Sequence, residues 1–152
     1  MESALLDTEF KNYNHRLPVD SNIRTNGGSL VSGYRPDISI QDNSGNVNLI
    51  LESERKSERK AFIGALVKAS RFAQENSCLV TLVFVMKETG NQTTVAQVSS
   101  NIEPYFRWLY NLGAVKLNRV CFISHPAYIQ SAENNETILS NEFMERCVVL
   151  QG

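Results

Sequence analysis

Apolar positions change period several times along this chain, and each change marks an element. Leu5, Leu6, Phe10 and Tyr13 fall at helical spacing and predict a short amphipathic helix over residues 2–14, ended by Leu17-Pro18. Residues 22–32 are polar, with Asn26-Gly27-Gly28 as a turn signal, and Ser29 to Gly33 reads as a weak strand. Two short apolar runs follow, Ile38-Ser39-Ile40 and Val47 to Leu51. The turn formers Asp42-Asn43-Ser44-Gly45-Asn46 lie between them and join them as a hairpin. From Ser57 to Asn76 the residues Phe62, Ile63, Leu66, Val67 and Phe72 make an apolar stripe, the strongest helical pattern in the chain. Cys78 to Met86 is an apolar, valine-rich run, as expected of a central strand buried on both faces. Thr93 to Leu112 predicts one or two helices with Pro104 at an early helical position, and Val115 to Ile123 a further strand. Ala132 to Cys147 reads as a final helix, with Val148-Val149-Leu150 as a terminal strand or tail. The resulting order predicts an α/β class: a single domain over residues 1–152 with a central mixed sheet flanked by helices.

Composition narrows the picture without changing it. A chain of 152 residues, 42% hydrophobic and 20% charged, can bury one continuous core and matches a soluble globular protein. The formal charge of -1 carries no global basic signature, so any nucleic-acid surface has to be a local patch. Cys78, Cys121 and Cys147 are an odd, widely spaced set with no zinc pattern, which predicts reduced, mostly buried thiols. With no run of transmembrane length and no signal-peptide pattern, a cytoplasmic, nucleoid or nuclear location is expected, without secretion or a membrane partner.

The candidate chemistry lies in the two strands of the hairpin. Pro36-Asp37 opens one of them, and the other ends in Glu52-Ser53-Glu54. Side chains alternate along a strand, so Glu52 and Glu54 share a face, and Lys56 would join them if the strand ran that far. Asp37 meets them if the hairpin closes. Three like charges on one face repel, and a hard divalent cation relieves that repulsion and can activate a water beside a phosphoryl oxygen. The competing reading makes both glutamates solvent-facing ends of a strand. Arg35, Arg55, Lys56, Arg59 and Lys60 cluster around the acids and would contact phosphates, or else lace an exposed helix start with Glu54 and Glu58. Lys68 lies near one edge of the apolar stripe and would be able to turn toward the sheet. His15 and Glu9 are N-terminal candidate ligands, with a surface histidine at a helix end the favoured reading of His15; His125 reads as structural. Tyr105, Phe106, Trp108 and Tyr110 would stack bases, or would divide between packing and a subunit interface.

Helix, strand with Pro-Asp, turn, apolar strand ending in an acidic motif, helix and strand: over roughly residues 1–90 this order resembles the PD-(D/E)xK nuclease superfamily. Restriction enzymes, Holliday-junction resolvases and the cap-snatching endonucleases of segmented RNA viruses belong to it. The resemblance implies a restriction-endonuclease-like fold and a Mg²⁺- or Mn²⁺-dependent endonuclease that hydrolyses phosphodiester bonds, with DNA favoured over RNA. By the motif, Asp37 and Glu52 match the metal-binding carboxylates, while Glu54 stands where the lysine is usual. Some restriction enzymes of the superfamily carry E-x-E there, which would make Glu54 a base or a further metal ligand. In other members the lysine comes from the following helix, where Lys60 and Lys68 are the candidates. A register reading Glu54-Arg55-Lys56 as the motif ranks lower, because Glu52 directly follows the apolar run. The alternative in function is a catalytically inactive nucleic-acid-binding or assembly subunit, or an unrelated interaction module. The small size points to a homodimer or a subunit of a larger complex.

Overall fold

Burial alternates along the strands and sorts their side chains between two cores, one on each side of a single sheet. The computed structural model describes residues 7–55, 58–90, 93–113 and 117–152. Its six strands stand in chain order: β1 (Ser21–Asn26), β2 (Ile38–Asp42), β3 (Val47–Glu54), β4 (Val80–Met86), β5 (Leu117–Ser124) and β6 (Val148–Gln151). β3, β4 and β5 run parallel; β1–β2, β2–β3 and β5–β6 are antiparallel pairs. The helices are α1 (Asp7–Lys11), α2 (Arg59–Glu75), α3 (Val95–Asn111), α4 (His125–Glu133) and α5 (Asn141–Glu145). Ile50, Leu82, Phe84 and Phe122 pack with Phe62 and Leu66 of α2 and with Ile102 and Phe106 of α3. Leu49, Leu51, Val83, Val85 and Ile123 face the other way, onto Phe10 of α1, Tyr128 of α4 and Phe143 of α5. The expected mixed α/β sheet flanked by helices is what forms. No helix among the described residues is long and apolar enough to cross a membrane.

The central elements follow their sequence signals closely. All seven residues of β4 are buried, as its apolar run predicts, and α2 buries Phe62, Leu66, Ala69, Phe72 and Ala73 along one stripe. In the hairpin turn the Asp42 carboxylate accepts from Ser44 N–H at 2.8 Å and Asn46 N–H at 3.0 Å, while Gly45 supplies a φ of 85°. All three cysteines are free, Cys121 buried and the other two partly so.

Four boundaries differ from expectation. The first helix closes at Lys11, short of Asn14; residues 2–6 of its expected span lie outside the described residues. Ser29 to Gly33 is a turn region rather than a strand, and the extra strand is β1, within a stretch that reads as polar. As an edge strand β1 is mostly exposed and held by polar pairs: Thr25 Oγ1 lies 2.6 Å from Ser39 Oγ, and Arg24 donates to Gln41 Oε1 at 3.0 Å. α3 is one helix with Pro104 in its interior. Pro104 and Ser100, whose carbonyl loses its helical donor, are both exposed, so water can take up the lost bond. The expected last helix is two helices. α4 starts at His125 with Ser124 as N-cap and a proline in its first turn, and Asn135 and Leu139 at positive φ break the chain before Ser140 caps α5.

Candidate functional site

Ile38 pairs with Leu51 across β2 and β3, so the same register carried one residue further sets Asp37 opposite Glu52. Both then belong to the α2 side, with Ile50 and, two residues on, Glu54. The end of β1 helps to fix this corner, since Gly27 N–H donates to the Asp37 carbonyl at 2.9 Å. Directly opposed carboxylates disfavour one another, yet here they are knitted together by neutral donors. The Asp37 N–H donates to Glu52 Oε1 at 3.2 Å and the Tyr34 hydroxyl to Glu52 Oε2 at 3.2 Å. Ser53 N–H in turn donates to Asp37 Oδ2 at 2.7 Å.

Glu52 is only 8% exposed. Burial first, then the Asp37 charge, push its pKa up to about 8, against the lowering effect of the two hydrogen bonds; Glu54 adds a smaller upward push. Its ionised form is therefore costly near neutral pH unless a cation arrives. Burial, and then the neighbouring carboxylates, hold the Tyr34 hydroxyl above its usual range, so it stays a donor.

A cavity of about 580 Å³ opens over these groups. Glu52 and Glu54 line it from β3, and Ser29, Gly33, Tyr34 and Arg35 from the segment before β2. Lys60, Gly64 and Lys68 line it from α2, spaced by four residues and so stacked on one helix face. None of the ion pairs resolved among the described residues engages Arg35, Lys60 or Lys68. An acidic floor thus faces basic walls. Glycine inside a helix costs about 1 kcal/mol relative to alanine, and a Cβ at Gly64 would meet nothing within 4 Å. No packing within the described chain calls for its bareness.

A hard dication fits this donor set. Its charge would offset both the burial of Glu52 and the repulsion from Asp37, and Mg²⁺ commonly takes one or two carboxylates, leaving its other positions to water and substrate phosphate oxygens. Among the described residues no three histidine, cysteine, aspartate or glutamate side chains form a ready-made cage. The residues that could hold such an ion are accordingly the Asp37–Glu52 pair, with Glu54 on the cavity wall two residues further along β3.

The structure brings Glu52, Glu54, Arg35, Lys60 and Lys68 to one cavity, and Asp37 is bonded to Glu52 beside it but is not among the lining residues. Arg55, just past β3, is exposed, and Arg59, at the first position of α2, is half-buried; neither is among the residues lining the cavity. Lys56 lies outside the described residues. Glu9 is exposed on α1. His15 is not a surface histidine. It is 7% exposed, with Nε2–H donating to the Phe10 carbonyl at 2.7 Å and Nδ1 accepting from the Tyr128 hydroxyl at 2.5 Å, so both ring nitrogens are engaged. His125 is fully buried, its Nε2 lying 3.3 Å from Ser53 Oγ behind the carboxylates. In α3, Phe106 is buried, whereas Tyr105, Trp108 and Tyr110 are exposed. Sequence reasoning missed Tyr34 and Gly64. A tyrosine three residues before the aspartate carries no signal of its own, but a lone glycine between two lysines in a strong helical pattern does.

Compared with protein-family models, curated proteins and solved structures, the chain finds no match in any of the three.

Proposed function

We propose that the chain is a metal-dependent nuclease of the PD-(D/E)xK type, with a restriction-endonuclease-like fold, hydrolysing nucleic-acid phosphodiester bonds. One observation carries the reading: Asp37 is hydrogen-bonded through its backbone N–H to a buried Glu52, and Glu52 lines the same cavity as Lys60 and Lys68. The strand order and the helix that follows β3 agree with it.

In this reading Asp37 and Glu52 are the residues that would hold Mg²⁺ or Mn²⁺. The ion, when bound, would lower the pKa of a coordinated water and take up charge on a phosphoryl oxygen. Tyr34 and the Asp37 N–H keep Glu52 oriented, and Ser53 N–H does the same for Asp37. Glu54, on the same cavity wall, would accept the proton of the attacking water. Lys60 and Lys68 occupy the opposite wall, where ammonium groups can neutralise charge that develops on the phosphate. Arg35, at the cavity's rim, meets the neighbouring backbone.

The test is cleavage of supercoiled plasmid, single-stranded DNA and single-stranded RNA in Mg²⁺ or Mn²⁺, set beside metal binding by calorimetry. Wild type is expected to cut in Mn²⁺ and to stop in EDTA. Asp37→Ala should fall to background, and Lys60→Ala or Lys68→Ala should lose about a hundredfold in rate. If wild type neither binds either ion nor cuts any of the three substrates, the enzyme reading is wrong and an inactive subunit takes its place.

A further inference from the structure

Three hollows stand in series along α2. The cavity over the carboxylates shares Gly33, Tyr34 and Lys68 with a second of about 160 Å³. That one shares Val31 and Phe72 with a third, also about 160 Å³, which ends at the hairpin turn beside Gly45 and Asn46. Together they form a groove between α2 and the turn that precedes β2. We infer, resting on the nuclease reading, that this groove holds a single nucleic-acid strand, which crosses the bare backbone of Gly64 and is gripped through its phosphates by Lys60, Lys68 and Arg71.

The charges fit such an occupant. Lys60, Lys68 and Arg71 follow one another along the α2 wall, and Arg24 and Arg35 stand on the other. Arg71 lies eleven positions beyond Lys60, about 16 Å of helix, or roughly five stacked nucleotides at about 3.4 Å each. Glu75 pairs with Arg71 at 3.1 Å, but both side chains are mostly exposed, and such a pair exchanges readily for a phosphate. Gly64 sits midway between the two lysines on the same face. Its missing side chain serves no contact within the described chain, and it leaves room for a strand to lie against the helix.

The groove's aromatic residues bear on how the strand is read. Tyr34 and Phe72 line it but are 4% and 5% exposed, so neither offers a ring face to stack a base. Recognition then runs through the sugar-phosphate backbone and is indifferent to sequence. Glu52, at the floor, is nearly buried, and a cavity of about 580 Å³ is the size class of a small ligand. One or two nucleotides of a single strand can descend into it; a paired helix has to open first.

The experiment is fluorescence anisotropy in EDTA, where no cleavage occurs, with fluorescein-labelled 12-nucleotide oligothymidylate and oligouridylate, and a 12-base-pair duplex as competitor. Lys68→Glu and Arg71→Glu are each expected to weaken single-strand binding at least fivefold and to reduce the salt slope by about 0.7 for each phosphate no longer neutralised. Gly64→Leu should weaken binding at least tenfold while its Tm stays at or above that of wild type. Arg107→Gln on α3, outside the groove, should bind as wild type, and the duplex should compete at least tenfold less well. Absence of single-strand binding by wild type, wild-type affinity in the three groove variants, or equal competition by the duplex overturns the proposal. The two readings fail separately. Binding mapped to the groove without Mn²⁺-dependent cleavage retains the groove and removes the nuclease. Cleavage that survives undiminished in Arg71→Glu and Gly64→Leu does the reverse.

Discussion

Glu52 is the residue at which folding and proposed function oppose each other. Its folded pKa of about 8 lies above the ordinary 4.5, so the folded state favours the protonated carboxyl. The stability this contributes is fully present below about pH 4.5 and is lost as pH rises through about 8. Glu52→Gln should remove that dependence and exceed wild type in urea denaturation at pH 8 by on the order of 2 kcal/mol. Saturating Mn²⁺, at about a hundred times its Kd, should raise wild-type stability by about 2.7 kcal/mol and the glutamine variant by much less. Equal pH slopes in the two proteins would show that Glu52 is ionised without penalty. Both partners of the pair are legible in the sequence, since Pro-Asp and the end of an apolar run mark strand positions by simple alternation. The identity of the residues opposite them is not. Arg59 lies nearer to the acids along the chain, yet the cavity is lined by Lys60 and Lys68, because helical period and not chain distance decides which side chains of α2 reach it.

Between elements, His15 links the segment after α1 to α4. Its ring bridges the Phe10 carbonyl and the Tyr128 hydroxyl, and burial lowers its pKa below the ordinary 6.5. A histidine whose folded pKa is depressed contributes stability that is complete above about pH 6.5 and is lost as pH falls. The urea midpoint of wild type relative to His15→Gln should therefore fall between pH 7 and pH 5, the difference isolating the histidine from the opposite trend that Glu52 contributes over the same range. Tyr128→Phe, which leaves the buried Nδ1 without its donor, should cost about 1–3 kcal/mol at pH 7. An unchanged midpoint in Tyr128→Phe would mean that the bridge does not hold these elements. None of this is visible along the chain, where His15 and Tyr128 are separated by 113 positions. β1 was hidden for a different reason: an edge strand with both faces largely wet needs no apolar alternation.

For the molecule as a whole, stability is concentrated in the sheet and the two cores it separates. Phe84 stacks on Phe122 with ring centroids 5.3 Å apart and meets Phe62 edge-on at 4.9 Å, all three fully buried. Phe84→Ala should cost about 3–5 kcal/mol. Trp108→Ala, at a side chain 62% exposed, should stay within about 0.5 kcal/mol. Comparable losses in both would place Trp108 in a buried contact, such as an interface between copies of the chain.

The sequence by itself determined the α/β class, the hairpin, the buried central strand and the carboxylate pair, because alternation and helical period are local and survive without knowledge of partners. It also determined that Glu54 follows Glu52 at the strand interval that puts both on one face. Tertiary structure alone decided that Tyr34 would hold Glu52, that His15 would be buried, and that Lys60, Gly64 and Lys68 would form the far wall of the cavity. Those outcomes depend on how α2 and the turn before β2 pack over the sheet, and that packing is fixed by the summed burial of many side chains rather than by any short pattern.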